Sequence, residues 1–287
     1  MIDPAAVAAK RAEFRRLHER GCFVIPNPWD VGSTRYLQHL GFPALATTSS
    51  GCAWAMGKPD NGVTVDDVLA HIEAIASAAD VPVSADFERG YADDPEGVAK
   101  NVARAVATGV AGLSIEDSTG DKSAPLYELA HATDRIRAAR AAIDGTKSGV
   151  LLTGRAEGFL IGRPDLDDVI ARLVAYADAG ADCLYAPGVR REEHHAAIVR
   201  AVAPRPVNVL ATAPGWTVAR YEAIGARRLS VGGALALTAW GGFERAAKAI
   251  AETGSFDALG GGASFAAINA FFAADVTSRG SGGRTRT

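Results

Sequence analysis

Thr108–Asp117 reads TGVAGLSIED, and the fold is decided by what this stretch does and how often it returns. An alanine-rich helical pattern ends on Gly109 and passes at once into an apolar, β-rich run that closes on two acids. A helix C-cap favours glycine because it takes the left-handed conformation freely, so the stretch reads as a helix-to-strand junction. The same junction recurs in LGFPALATT (Leu40–Thr48), AGADCLYAP (Ala179–Pro187) and IGARRLSVG (Ile224–Gly232). Four further strands fit between these, at Cys22–Pro26, Val81–Asp86, Gly149–Gly154 and Pro206–Leu210. Helical periodicity fills Val65–Ala79, Pro95–Ala107, Leu129–Ala142, Leu166–Ala179 and Glu192–Val202. Strands this continuously apolar are buried on both faces, as parallel strands are. Eight of them alternating with helices, with no GxGxxG after the first, predict a closed (β/α)8 TIM-type barrel rather than a doubly wound sheet.

The flanks read differently. The N-terminus, MIDPAAVAAKRAEFRRLHERG, mixes charges into its apolar positions and reads as an amphipathic helix rather than a signal peptide. After the last barrel helix, Gly260–Gly262 break the chain before an apolar helix, Ser264–Ala274, carrying Phe265, Phe271 and Phe272. Residues 1–275 are thus expected to form a single barrel domain with terminal helices, and 276–287, ending in SRGSGGRTRT, a disordered tail.

Composition narrows the function classes. The 287 residues suit one α/β barrel, which needs about 250. A net charge of −3 gives no electrostatic reason to expect nucleic acid or an anionic membrane as partner, so a small-molecule substrate is expected. The three cysteines, Cys22, Cys52 and Cys183, form no CxxC pair, which argues against a disulfide framework or zinc site and for a reducing, cytoplasmic location. No stretch approaches the roughly 18 uncharged apolar residues of a membrane span.

Chemistry in a barrel of this kind sits on the loops that follow the strands, so polar residues at the C-terminal strand ends are the candidates. Those ends supply Asn27 and Asp30, then Thr48, Ser49, Ser50 and Gly51, then Asp86, Glu88 and Arg89, then Glu116 and Asp117, then Arg155 and Glu157, and Asn208. Carboxylates converging on one mouth repel, and an all-oxygen donor set is what Mg²⁺ or Mn²⁺ takes. The alternative is that the acids pair with Arg89, Arg155 and helix N-termini. TTSSG reads either as a cradle for a carboxylate or as a helix-capping turn. Arg155, on an apolar strand, is either salt-bridged or aimed at a substrate carboxylate.

Taken in order, PNPWDVGSTRYLQHLGFPALATTSSG, the GKPD turn ending in Asp60, ADFERGY, GLSIED, GRAEGF and RRLSVGGAL resemble the isocitrate lyase and phosphoenolpyruvate mutase superfamily, on its phosphoenolpyruvate mutase-like branch, from about Phe23 to Ala249. The resemblance implies a C-terminal helix exchanged between subunits of a homotetramer or dimer of dimers. It implies Mg²⁺ held through Asp86, with Glu88 and Glu116 acting through water and Asp60 nearby. It also implies that Ser50 and Gly51 bind the carboxylate of a pyruvate- or glyoxylate-like moiety, with Arg155 beside its oxyanion; Thr48, Ser49, Asp60 and Asn208, at the same strand ends and mouth, are expected to bind substrate with them. Two departures stand out. The KCGH-type loop of the isocitrate lyases is replaced after Glu116 by DSTGDKSAPLYEL, without cysteine, and the lysine- and asparagine-bearing loop of phosphonopyruvate-handling members is matched only by Lys122.

The expected activity is therefore a Mg²⁺-dependent lyase that cleaves a C–C bond next to the 2-oxo or 2-hydroxy carboxylate of a small di- or tricarboxylic acid. Arg155, Glu116 and Lys122 are its expected catalytic residues. The competing expectations are C–P chemistry on phosphonopyruvate and a catalytically silent, metabolite-binding barrel.

Overall fold

The computed structural model describes residues 3–281. Eight parallel strands, β1 (Phe23–Ile25), β2 (Leu45–Ala46), β3 (Val83–Asp86), β4 (Gly112–Glu116), β5 (Leu151–Arg155), β6 (Cys183–Tyr185), β7 (Val207–Leu210) and β8 (Arg228–Ser230), form one sheet in the order β1-β8-β7-β6-β5-β4-β3-β2. The two ends of that order meet: the Ala46 amide donates to the Pro26 carbonyl at 3.1 Å, and Asn27 sews three elements together. Its Nδ2 donates to the Thr47 carbonyl at 2.8 Å, while Oδ1 accepts the amides of Val231 and Gly232, each at 2.9 Å. The sheet is a barrel of the (β/α)8 kind.

The helices follow the sequence signals. Gly41, Gly109, Gly180 and Gly225, the helix-ending glycines of the four recurring junctions, have φ of 87°, 88°, 104° and 89°. Helix α1 covers Pro4–Leu17, α2 Val31–His39, α3 Ser49–Ala55, α4 Val65–Ala78, α5 Pro95–Ala107, α6 Leu129–Gly145, α7 Leu166–Asp178, α8 Glu192–Val202 and α9 Val218–Ala223. Helix α5 shows why its boundary was legible: Asp94 accepts the Gly97 amide at 2.7 Å, and Pro95 occupies the first turn, where its missing N–H costs nothing.

Helix α1 closes the N-terminal end of the barrel. Phe14 is fully buried among Phe23, Ile25, Ala44, Ala46, Ala111 and Leu151, a burial worth about 2–3 kcal/mol. Gly112 makes room for it, since a Cβ there would stand 2.6 Å from the Phe14 ring. With that end plugged, open space remains at the opposite mouth.

The chain divides into two compact units between Leu235 and Ala236, where a single domain over 1–275 was expected. The second unit contains most of α10 (Ala234–Thr253), a 3₁₀ turn (Asp257–Gly261) and α11 (Phe265–Ser281). It exposes Leu237, Phe243, Phe256 and Phe265. Helix α11 runs past Ala274, so positions 276–281, read as tail, are helical; 282–287 lie outside the described residues. No helix among the described residues is long and apolar enough to cross a membrane.

Candidate active site

A cavity of about 170 Å³ opens at the C-terminal mouth of the barrel, and Thr48, Ser49, Ser50, Asp60, Asp86, Arg155 and Asn208 all line it. The same wall includes Ser84, Ser114, Tyr185, Arg228 and Ser230, which alternate with core residues along strands β3, β4, β6 and β8. The barrel interior is therefore polar well below its rim.

Arg155, the last residue of β5, is the electrostatic centre. Its Nη1 lies 3.1 Å from Asp86 Oδ1 and 3.2 Å from Glu116 Oε2, and its Nε donates to Glu157. Glu157 is held in turn by its backbone amide, which donates to Asp117 Oδ1 at 2.8 Å; Tyr176 and Arg172 hold the other oxygen of Asp117. Of the two readings of Arg155, ion pairing is the one observed, and it coexists with a place on the cavity wall. Burial opposes the charge of Arg155, but Glu157, Glu116 and Asp86 outweigh it and raise its pKa further.

The acids are in excess. Burial pushes the carboxyls of Glu116 and Glu157 upward despite Arg155, and their neighbouring carboxylates add to the push. Burial also raises Glu88 to about 7, with Asp86 and Asp60 repelling its charge against the stabilising hydrogen bond from the Tyr91 hydroxyl at 2.8 Å. Asp60 is raised first by burial and then by Asp86. Among the described residues, no three acidic, histidine or cysteine side chains are already gathered as a ligand set. The donor chemistry nonetheless fits a hard divalent cation: all-oxygen, overcharged, and with Asp60 and Asp86 on the same wall.

The other expected site residues separate into three groups. TTSSG is a helix start: Thr48 is the N-cap of α3, its Oγ1 taking the Gly51 amide at 3.4 Å, and the Ser49 amide is spent on Asp86 Oδ2 at 2.9 Å. The capping alternative is thus the observed one, with Ser49 and Ser50 lining the cavity and Gly51 buried away from its lining. Glu88 and Glu116 are buried and also absent from the lining. Lys122 stands exposed on the loop after β4, whose ends are tied by the Ser118–Leu126 bridge. Sequence reasoning missed Tyr185, Ser230 and Arg228. The signal for Arg228 was the one used for Arg155, a charged residue within an apolar strand.

Residues 14–251 match the family model described as phosphoenolpyruvate phosphomutase. The chain belongs to the phosphoenolpyruvate mutase family. It is accordingly an enzyme of the isocitrate lyase and phosphoenolpyruvate mutase superfamily. Among solved structures, a lyase/mutase candidate from Burkholderia cenocepacia J2315 is 45% identical, with a TM-score of 0.89 over 94% of this chain and 97% of that one. Oxaloacetate decarboxylase of Rhodopseudomonas palustris strain HaA2 is 32% identical over 235 residues, 77% of each chain. The 2-methylisocitrate lyase of Escherichia coli K12 is 31% identical over 154 residues, 52% of this chain and 51% of that one.

Proposed function

We propose that this member of the phosphoenolpyruvate mutase family is a lyase that cleaves the C–C bond beside the 2-oxo or 2-hydroxy carboxylate of a small di- or tricarboxylic acid, as its oxaloacetate decarboxylase and 2-methylisocitrate lyase relatives are named for doing. The observation that carries this reading is the Asp86–Arg155 pair on the cavity wall, backed by Glu116 and Glu157. Asp86, with Asp60 beside it and Glu88 and Glu116 behind, would hold Mg²⁺ or Mn²⁺, which supplies Lewis-acid stabilisation of charge on a substrate oxygen.

The chain's own groups do the rest. Arg155 offers N–H donors and positive charge to the oxygen on which charge develops when the C–C bond breaks. Glu116 and Glu157 act through Arg155 by fixing its guanidinium. Ser49 and Ser50 present hydroxyls to the substrate carboxylate, while Leu160 and Pro187 give the cavity an apolar side that limits water. Tyr185, pushed up to about 12 by burial, keeps its proton at neutral pH and is the wall's proton donor for the carbon left behind. Lys122, exposed on its loop, takes no part in this reading. A cytoplasmic homotetramer is the assembly we propose for the working enzyme, the exposed apolar residues of α10 and α11 being the surface it would cover.

The family model's own description favours C–P chemistry as the second reading. Both are tested by NMR-monitored incubation with oxaloacetate, 2-alkylmalates, 2-methylisocitrate or phosphonopyruvate, with Mg²⁺ or with chelator. Chelator-sensitive release of a 2-oxo acid or oxalate is the expected result. Phosphorus-containing products alone would move the chain to the second reading, and silence across the panel would leave a metabolite-binding barrel.

A further inference from the structure

Below the acid-rich rim, the cavity reaches a second arginine. Arg228 is the first residue of β8, two positions before Ser230, which places it roughly 7 Å deeper along the strand. It is 3% exposed and lines the cavity with Ser84, Ser114, Asn208 and Ser230.

Every partner of Arg228 is neutral. Nε donates to Asn208 Oδ1 at 2.9 Å, Nη2 to Thr153 Oγ1 at 3.0 Å, and Nη1 meets His18 Nε2 at 3.3 Å. His18 Nδ1 lies 2.7 Å from the Phe14 carbonyl, which can only accept, so Nδ1 carries the ring proton and Nε2 accepts from Arg228. Burial first, and the Arg228 charge second, hold the His18 ring down to about 3, so it stays uncharged near neutrality. Among the described residues, no acid lies within 4.0 Å of this guanidinium in an ion pair. Arg155, a few ångströms higher in the same barrel, is matched by three carboxylates.

A guanidinium has five N–H donors and a permanent positive charge. Three donors are engaged, two remain, and the charge is uncompensated in a buried place where isolated charge is expensive. Tethering three neutral acceptors needs no charge. An anion in the cavity does need one.

We infer that Arg228, with Asn208, Ser84, Ser114 and Ser230 around it, forms an anion subsite at the cavity floor that takes a carboxylate group, the far carboxylate of a substrate whose reacting end lies at Asp86 and Arg155. The inference rests on the lyase reading only in taking this cavity as the substrate's. It makes Arg228 a specificity-determining residue, selecting acids with a second carboxylate directed down the barrel axis.

Crystals of the full chain soaked in bromide provide the first test, by anomalous scattering. A bromide peak in contact with the Arg228 guanidinium is expected. Peaks confined to the protein surface overturn the subsite. Soaking the same crystals with malonate should then replace bromide by a carboxylate at Arg228; bromide retained there with malonate bound elsewhere would reduce the site to one for free inorganic anions and overturn its assignment to substrate. In solution, Arg228→Gln should weaken malonate binding by calorimetry at least about tenfold, the worth of one charge-assisted hydrogen bond, and change pyruvate binding by less than about twofold. Equal losses for both acids, or none, would overturn the specificity role. If the glutamine variant does not fold, the bromide and malonate soaks, which need no variant, decide the subsite on their own. A peak at Arg228 in a protein without lyase turnover leaves the subsite standing and removes only the reaction assigned to it.

Discussion

Arg155 and Asp86 are joined across the barrel mouth by a 3.1 Å contact between Nη1 and Oδ1, and the other Asp86 oxygen takes the Ser49 amide at 2.9 Å. One carboxylate thus couples β5, β3 and the start of α3. Asp86→Ala is expected to lower kcat by about a hundred- to a thousandfold, the range seen when a group acting on developing charge is removed. Because Arg155 retains Glu116 and Glu157, circular dichroism and the melting temperature should change little. Turnover within tenfold of the parent would show that the wall's chemistry lies elsewhere.

Arg155→Met should behave in the opposite way on stability. It leaves Glu116 and Glu157 buried without their counter-charge, which costs about 3–5 kcal/mol at neutral pH. Their carboxyl pKa values are already raised by burial, and the loss should shrink as they protonate on acidification. Urea unfolding of the variant and parent at pH 7 and pH 5 measures this; a penalty that stays constant between the two would refute it.

At the plugged end of the barrel, Gly112→Ala places a methyl 2.6 Å from the Phe14 ring. The ring is fully buried, so about 1–3 kcal/mol should be lost. Phe14→Leu combined with Gly112→Ala should recover part of that loss. Thermal unfolding of the two variants side by side would decide it, and a double variant no better than the single one would count against the clash.

Two histidines, His195 buried and His18 half-buried, set an acid limit on stability. His18 is depressed to about 3 and His195 to about 4, in both cases by burial first. Their folded values lie below the unfolded value near 6.5, so the unfolded chain binds more protons on acidification. The stability they preserve is present above pH 6.5 and is lost as the pH falls towards 4 and 3. Each contributes up to about 1.4 kcal/mol per pH unit over its window. Replacing His18 by Gln, which keeps a hydrogen-bonding side chain, should flatten melting temperature against pH between 6.5 and 4; an unchanged slope would exclude His18 as a source.

The barrel was legible because its signals are local. A glycine at a helix end and a continuously apolar strand state their environment within ten residues, and helices α5 and α8 begin and end where periodicity places them. Asp86 and Arg155 were legible for a related reason: a charge at the end of an apolar strand must meet a partner or a ligand. TTSSG was ambiguous, since the same amides cap a helix or cradle an anion, and only the Thr48 and Asp86 contacts distinguish the two. The depth of Glu88 and Glu116 was hidden too. For Glu116, period-two alternation says which face the residue takes but not that Arg155 pairs with it there; Glu88 lies in a turn beyond β3, where alternation no longer applies. Arg228 shows the limit from the other side. In RRLSVG two arginines are adjacent, and which one enters the barrel depends on the register of β8 against β1 and β7.

The Asn27 junction has a consequence for how this protein fails. Strands β1 and β2 share no hydrogen-bonded ladder, so the ring is completed there by one amide side chain and the Ala46–Pro26 contact. Wherever that stitch lets go, two unpaired strand edges are laid bare on neighbouring elements, the kind of surface on which separate chains recruit one another into aggregates. The residue that shapes the mouth of the cavity is therefore also the guard against irreversible loss of the protein on heating.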